Sequence, residues 1–139
     1  MPTLYLSSMK PASAQGIGAY PVSAIVNKVP YRHSVAQYQE LCSESEQSKE
    51  WEYSVGSGYK SFTVWMGLSD DNSAADLSVT FEVYADGKLA VQKEITAGPA
   101  RKVTVDTRNV RRLKLVSSFS ISQHCYHFDE AIWGNAQLS

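Results

Sequence analysis

The sequence lacks most of the features that mark specialised classes of protein. Only two of its 139 residues are cysteine, too few for a small domain held together by several disulfides. The 13 basic and 14 acidic residues leave a formal net charge of −1, which argues against a nucleic-acid partner and against attraction to a membrane. Nowhere do 18 apolar residues follow one another, so no membrane insertion is predicted.

The first ten residues also lack the charged and apolar regions of a signal peptide. If the protein is secreted or displayed at the cell surface, we expect this chain to be a mature or excised piece. If the chain is complete as given, we expect a cytoplasmic protein. Hydrophobic residues make up 43% of the chain, which is enough to bury one core at this length. The sequence therefore predicts a single domain over residues 1–139.

Apolar and polar residues alternate repeatedly along the chain, which predicts strands with one buried and one wet face. Asp86-Gly87 has the composition of a two-residue hairpin turn, and Gly98-Pro99 is expected to end the strand before it near Ile95. The turn spacing is that of a sandwich or barrel, with about eight or nine strands. The predicted fold class is all-β, an antiparallel β-sandwich. The clearest predicted strands are 49–55, 60–68, 77–84, 101–106, 112–117 and a last one near 127–138.

Residues 34–41 are the one stretch with a helical pattern. Ser34 and Gln37 have the spacing of a capping box at its start, and a loop is the alternative for this stretch. Residues 10–19 and 42–48 are rich in Ser, Ala, Gly and Gln, and they are predicted to be surface loops.

Candidate metal ligands occur at two places. His124, Cys125 and His127 lie close together, but their spacing is not that of a standard zinc motif, and a loop entering a strand is the alternative. Asp70 and Asp71 begin an oxygen-rich stretch and are the candidate ligands of a structural calcium ion. That stretch lacks the spacing of an EF-hand loop, so a solvated hairpin loop is the alternative.

Three other features leave alternatives open. Cys42 and Cys125 are either bridged or free, because the sequence supplies no Cα distance. No nucleophile elbow and no recognisable Cys-His-Asn set is present, so the chain is not predicted to be an enzyme. A basic cluster is either an anion-binding patch or the wet face and turn of two strands; its members are Arg101, Lys102, Arg108, Arg111, Arg112 and Lys114.

Trp65 is unusual because alternation places it on the outward face of its strand, with Ser61 and Thr63. An outward tryptophan is either a stacking platform for a sugar ring or a base, or a side chain covered by a neighbouring loop. Trp65 is therefore a candidate ligand-binding residue.

The end of the chain carries a motif. Asp129-x-Ala131-x-Trp133, followed by Gly-Asn-Ala-Gln-Leu, resembles the closing motif of the NPCBM family of carbohydrate-binding modules. Five earlier segments resemble family segments in the same order, so the resemblance covers nearly the whole chain. They are Leu4-Tyr-Leu-Ser, Tyr31-Arg-His-Ser-Val, Tyr59-Lys-Ser-Phe-Thr with Gly67-Leu-Ser-Asp-Asp, Val79-Thr-Phe-Glu-Val-Tyr-Ala-Asp-Gly-Lys-Leu, and Val103-Thr-Val-Asp with Val110-Arg-Arg-Leu-Lys-Leu-Val.

The resemblance implies a galactose-binding-like jelly roll and a lectin-like, non-catalytic accessory module, often attached to secreted glycoside hydrolases. It also implies that loops at one end of the sandwich recognise galactose-containing glycans. The sugar-binding relatives carry an Asn-Gly-Trp-Gly-like stretch near their start, which this chain lacks. The alternative function is therefore a protein-interaction or assembly domain that has kept the fold and lost sugar binding.

Residue by residue, the resemblance adds His33, Asp129 and Trp133 to the candidate ligand-binding residues. His33 and Asp129 match recurrent family residues. They are expected to form a pair, which either pins the terminal strand as a buried polar pair or lines the ligand cleft. Trp133 is either a core residue or part of the same cleft. The expected partner is a galactose-type glycan or another protein.

Overall fold

The structure is a computed structural model that describes residues 3–11, 13–15, 19–39, 47–56, 58–70, 78–119 and 129–139. Within these residues the chain forms eleven strands and one short 3-10 helix, so the predicted number of strands was too low. The helix, Leu6–Ser8, directly follows the first strand. The strands are β1 (Leu4–Tyr5), β2 (Ser13–Gln15), β3 (Ala19–Val26), β4 (Val29–Gln39), β5 (Gln47–Ser54), β6 (Ser61–Leu68), β7 (Val79–Ala85), β8 (Lys88–Ile95), β9 (Arg101–Asp106), β10 (Arg112–Phe119) and β11 (Asp129–Leu138).

The described strands form two sheets. The larger has the order β3-β4-β11-β6-β9, with β1 paired to β11, and the smaller has the order β2-β5-β10-β7-β8. Each described strand pair is antiparallel. The predicted antiparallel β-sandwich is therefore confirmed. Among the described residues, no helix has the length and apolar character needed to cross a membrane.

The main core lies between the two sheets and is built by the alternation seen in the sequence. In β6 and β7 every second side chain is fully buried, and the side chains between them are half-buried on the outer faces. The fully buried side chains of these two strands include Phe62, Val64, Met66, Val79, Phe81 and Val83.

The predicted turn at Asp86-Gly87 is confirmed. The two residues join β7 to β8 with φ values of 49° and 82°. Positive φ at both central positions is the geometry that the Asp-Gly pair favours. Strand β8 ends at Ile95, as predicted, and Gly98 follows with a φ of 134°.

Both alternatives for residues 34–41, a helix and a loop, are wrong for the residues described there, because these belong to strand β4. All four residues from Ser34 to Gln37 are buried. Strand β4 has the main core on one face and a second apolar cluster on the other, so its sequence shows no simple alternation. The loop predicted for residues 10–19 is also wrong in part, because Ser13–Gln15 form strand β2.

The second apolar cluster lies on the outer face of the six-stranded sheet, where the β3–β4 hairpin bends over it. The bend follows a register shift between Val22 and Ala24. We call residues 24–31 the hairpin tip. The buried members of the cluster are Ala24, Val26, Tyr31, Ala36 and Ile132.

Two glycines in the sheet allow the hairpin tip to approach this closely. A Cβ atom on Gly67 would lie 2.6 Å from a methyl carbon of Val26. A Cβ atom on Gly134 would lie 3.0 Å from the ring of Tyr31. The absence of a side chain at both positions therefore determines where the hairpin tip lies, and so what remains open beside it.

Candidate functional site

Trp65 lies half-buried on the outer face of the six-stranded sheet, next to the hairpin tip. The ring of Tyr31, which belongs to the tip, has its centroid 6.2 Å from that of Trp65, with an angle of 42° between the planes. On the other side, Lys102 Nζ lies 5.2 Å from the Trp65 ring centroid, within the range of a cation–π contact. The tip thus covers part of the indole and leaves part of it open.

A row of polar side chains crosses the sheet beside Trp65. Strand pairing places Tyr5 opposite Gln137, Gln137 opposite Thr63, and Thr63 opposite Thr104. Directly paired residues share a face, and Thr63 shares its face with Trp65, so the whole row lies on the outer face. The hydroxyl oxygens of Thr63 and Thr104 are 3.3 Å apart.

His33 lies exposed at the end of this row, with its ring stacked on that of Tyr5. The ring centroids are 4.2 Å apart and the planes differ by 18°. The backbone N–H of His33 donates to Asn135 Oδ1 at 3.1 Å. Asn135 has a φ of 44° and lies where the pairing of β11 with β6 shifts register. Before this shift β11 is paired with β4, and after it β11 is paired with β1. The change of partner brings Tyr5 next to His33.

We call this region the Trp65 surface; it consists of Tyr5, His33, Thr63, Trp65, Lys102 and Gln137. Two of the four predicted ligand-binding residues, His33 and Trp65, belong to it. Because β1 and β6 lie two strands apart, Tyr5 and Thr63 are about 10 Å from each other. Aromatic rings, an amide and a hydroxyl are therefore arranged over a distance that suits a short oligosaccharide.

The structure corrects the expected pairing of His33 with Asp129. Asp129 is paired with Gln39, which is six residues from His33 along β4. At the rise of a strand this separation is about 20 Å. His33 is moreover exposed rather than buried. The two residues therefore do not form the expected pair, and a part for Asp129 in ligand binding stays a prediction.

The structure also places Trp133 in the main core. Its side chain is 0% exposed, and its ring packs edge-on against Phe81 with centroids 4.9 Å apart. The indole N–H donates to Gln37 Oε1 at 2.8 Å. Since a ligand on the surface has nothing of Trp133 to touch, we assign this residue to the core and leave it out of the Trp65 surface.

Asp70 holds the hairpin tip in place. Its two carboxylate oxygens accept hydrogen bonds from the backbone N–H groups of Asn27 at 2.6 Å and Lys28 at 2.8 Å. Both of these turn residues have positive φ, 48° and 67°. The backbone N–H of Asp70 in turn donates to the carbonyl of Ile25 at 2.9 Å. Asp70 is thus a positioning residue of the hairpin.

The calcium site expected at Asp70 and Asp71 stays a prediction. Asp71 lies outside the described residues, and within the described part of the chain no three His, Cys, Asp or Glu side chains form a group suited to a metal ion. If calcium is bound there, its removal with EDTA is expected to lower the melting temperature of the protein. His124, Cys125, His127 and Cys42 also lie outside the described residues.

A cavity of about 310 Å³ opens on the same face, next to the hairpin tip and the start of β11. Its lining combines four polar residues, Ser23, Ser69, Asp70 and Glu130, with small and branched apolar side chains. None of the described residues that line it is aromatic. The Trp65 surface, which does offer aromatic rings, is therefore the better candidate for binding a sugar.

The basic cluster does not form one anion-binding patch. Arg112 Nη1 lies 3.4 Å from a carboxylate oxygen of Glu52, and Lys114 Nζ lies 3.9 Å from one of Glu50. Both pairs are on the five-stranded sheet, whereas Lys102 is on the other sheet. The cluster is thus divided between the wet faces of two sheets, as the second alternative predicted.

Sequence reasoning missed Tyr5, Gln137 and Lys102 as members of the surface. The alternation of β9 contained a signal for Lys102, because it sets this residue apart from the half-buried Val103 and the buried Val105. No local signal exists for Tyr5 or Gln137, because they reach the surface only through the pairing of the first strand with the last.

Comparison with known proteins gives one family and one fold. A family model described as the NPCBM/NEW2 domain matches residues 3–139. No curated protein matches the chain with significance. Among solved structures, the CBM51 from Clostridium perfringens GH95 in complex with methyl-galactose is 20% identical, with a TM-score of 0.71 over 99% of this chain and 100% of that chain.

Two larger structures contain the same fold. The CBM51-2 and INT domains of Clostridium perfringens ZmpB, in complex with GlcNAc, give 21% identity and a TM-score of 0.69 over 99% of this chain. Our chain spans 31% of that protein chain. The tandem CBM51 modules of Sp3GH98, a family 98 glycoside hydrolase from Streptococcus pneumoniae, give 19% identity and a TM-score of 0.72, over 98% of this chain and 46% of that chain. These similarities confirm the predicted fold.

Proposed function

The chain belongs to the NPCBM/NEW2 domain family, and we propose from this membership that it is a non-catalytic carbohydrate-binding domain for galactose-containing glycans. A similar fold carries methyl-galactose in the CBM51 of Clostridium perfringens GH95, which supports the choice of galactose. We also propose an accessory role beside a catalytic domain, in keeping with the longer chains in which similar domains occur.

The observation that carries the proposed location is the half-open indole of Trp65 with polar side chains in the rows beside it. The apolar face of a pyranose ring stacks on such an indole. Thr63 and Gln137 offer hydrogen-bonding groups to the sugar hydroxyls. Shallow sites of this kind give dissociation constants on the order of 10 µM to 1 mM, or about 4–7 kcal/mol.

The stacked rings of Tyr5 and His33 extend the proposed surface toward the end of the sandwich. His33 is exposed, and its imidazole can both donate and accept hydrogen bonds. A glycan of two or more sugars that covers Trp65 therefore reaches His33 with its next ring. We expect His33 to contribute to binding of oligosaccharides and to contribute little to binding of free galactose.

A glycan array followed by titration of the best glycan tests the proposal. Trp65→Ala is expected to weaken binding at least about fivefold, since an aromatic contact of this kind contributes about 1 kcal/mol or more. His33→Ala is expected to weaken binding of an oligosaccharide about two- to fivefold. Tyr84→Ala removes a half-buried aromatic ring from the other sheet and is the matched control.

The outcome that contradicts the proposal is the absence of binding to any glycan by a folded protein. In that case the protein-interaction alternative takes its place. Two apolar side chains of the hairpin tip, Ile25 and Val29, are 52% and 48% exposed and would then be the first candidates for a contact with another protein. Binding that survives Trp65→Ala would place the glycan on a different surface.

A further inference from the structure

Lys102 is a cation beside Trp65 that no described residue neutralises. Its side chain is exposed on β9, an edge strand of the larger sheet. None of the ion pairs among the described residues includes it. The lysine and arginine on the outer face of the other sheet differ in this respect, because Lys114 and Arg112 each lie within 4.0 Å of a carboxylate.

Among the described residues, no acidic side chain is a direct neighbour of Lys102 on its own face. Lys102 is paired directly with Trp65, and its neighbours on this face are Thr63, Gly67, Ala100 and Thr104. The acidic residue next along β9 on this face is Asp106, four residues away, or about 13 Å at the rise of a strand. Asp106 accepts a hydrogen bond from the backbone N–H of Arg108 at 3.0 Å. A ligand over Trp65 thus meets a cation that forms no ion pair within the described part of the chain.

From this arrangement, and resting on the proposed function, we infer that the Trp65 surface prefers acidic glycans. The ligand is a pyranose with an anionic substituent, a carboxylate or a sulfate ester. Its ring face stacks on Trp65 and its anion pairs with the ammonium group of Lys102.

The flexibility of lysine supports this division of roles. The ammonium group lies 5.2 Å from the Trp65 ring centroid, and its four-carbon stem lets it move from the ring to a neighbouring anion. A neutral sugar displaces the ammonium group from the indole and offers it no charge in return. An acidic sugar replaces the cation–π contact by an ion pair, so it binds more tightly.

Matched pairs of sugars test the inference. We would titrate the full chain with galactose and galacturonic acid, galactose and galactose 6-sulfate, and lactose and 3′-sialyllactose, which separate uronate, sulfate and sialate as sources of the charge. At least one acidic member is expected to bind about two- to fivefold more tightly than its neutral partner at low salt, the range of an exposed ion pair. The preference is expected to vanish at about 0.5 M NaCl, since salt screens exposed charges.

Two lysine variants with the same change of charge test whether the preference for acidic sugars depends on Lys102. Lys102→Gln is expected to abolish the preference for the acidic member of each pair. Lys93→Gln, an exposed lysine on β8 of the other sheet, is expected to retain the preference.

Neutral and acidic members that bind equally would overturn the inference and leave the proposed glycan binding intact. A preference that survives Lys102→Gln, or that Lys93→Gln removes equally well, would overturn it too. A protein that binds no member of any pair contradicts both the inference and the function on which it rests.

Discussion

Trp65 and Trp133 lie on neighbouring strands, and they face opposite sides of the six-stranded sheet. In the register of β6 with β11, Trp65 is paired with Gly134 and Trp133 with Met66, one position away. Because side chains alternate with a period of two, that single position separates a surface residue from a core residue. Alternation within β6 predicted the outward face of Trp65. The residues around Trp133 alternate between small and large rather than between polar and apolar. The sequence pattern therefore did not predict which side of the sheet Trp133 faces, and the strand pairing decided it.

Tyr53 is a residue whose burial has a consequence for the pH dependence of stability. Its side chain is 0% exposed, and its hydroxyl has no hydrogen-bond partner among the described residues. Burial raises the pKa of Tyr53 above its ordinary value of 10.0. The folded state therefore keeps this proton at a pH where the unfolded chain has lost it.

The resulting stability is fully present below about pH 10 and is lost as the pH rises further, by up to about 1.4 kcal/mol per pH unit. Tyr53→Phe removes an unsatisfied polar group, so at neutral pH we expect unchanged stability or a gain of up to about 1 kcal/mol. Between about pH 9.5 and 11 the variant is expected to lose less stability than the parent protein, because this ionisation is absent.

Urea denaturation at neutral and alkaline pH measures both effects. The other tyrosines with raised pKa values, Tyr31 and Tyr84, are present in both proteins and cancel in the difference. Parallel loss of stability with pH in the parent and in Tyr53→Phe would show that Tyr53 ionises as easily in the folded state as in the unfolded chain.

At the scale of secondary structure elements, the β3–β4 hairpin decides the shape of the outer face. It bends at a register shift near Ser23, and its tip covers Gly67 and Gly134. The sequence did not reveal this hairpin, because β4 is buried on both faces and its pattern resembles a short helix. The turn at Asp86-Gly87 was recognised because its geometry depends on two adjacent residues alone. The turn at Asn27 and Lys28 depends instead on Asp70, more than 40 residues away in sequence.

Removal of the Asp70 carboxylate is expected to loosen the hairpin tip. In Asp70→Asn one of the two acceptor oxygens becomes an NH₂ group that faces an N–H donor. We expect a loss of about 1 kcal/mol, less than the roughly 1.5–3 kcal/mol of a hydrogen bond to a charged group, because Asp70 is exposed. Hydrogen exchange of the Asn27 and Lys28 amides is expected to become about fivefold faster.

Asp106→Asn is the matched control for this variant. Asp106 is also exposed and accepts a backbone N–H, that of Arg108. This control is expected to leave the exchange of the hairpin amides unchanged. Equal exchange rates in Asp70→Asn and the parent protein would show that the apolar contacts of Val26 and Tyr31 hold the tip without the carboxylate.

At the scale of the whole molecule, one polar network joins the two sheets through the core. Gln37 is fully buried in β4. Its Oε1 accepts hydrogen bonds from Ser117 Oγ at 2.5 Å and from the indole N–H of Trp133 at 2.8 Å. Its Nε2 donates to the carbonyl of Leu115 at 3.3 Å. Ser117 and Leu115 belong to β10 of the smaller sheet, so this side chain links the two layers.

Gln37→Leu is expected to destabilise the sandwich although it places an apolar residue in an apolar core. The change leaves the Trp133 N–H and the Ser117 hydroxyl buried without their acceptor. Each such group costs about 1–3 kcal/mol, so the two together are expected to cost about 2–6 kcal/mol in urea denaturation.

Gln92→Leu makes the same substitution at an exposed glutamine of β8 and is expected to change the stability by less than about 0.5 kcal/mol. A loss in Gln37→Leu no larger than that in Gln92→Leu would contradict the importance of the network for joining the sheets.

The sequence by itself determined the properties that depend on near neighbours in the chain. Alternation with a period of two is a local property, and it predicted the all-β class, the strands β5, β6, β7, β9 and β10, and the outward position of Trp65. The motif order indicated the family and its sandwich. Only the tertiary structure decided what lies beside Trp65, because Tyr5, Gln137 and Lys102 reach it through pairing between strands distant in sequence. The same pairing separates His33 from Asp129 and buries Trp133, because register determines which residues share a face and which end of a strand they occupy.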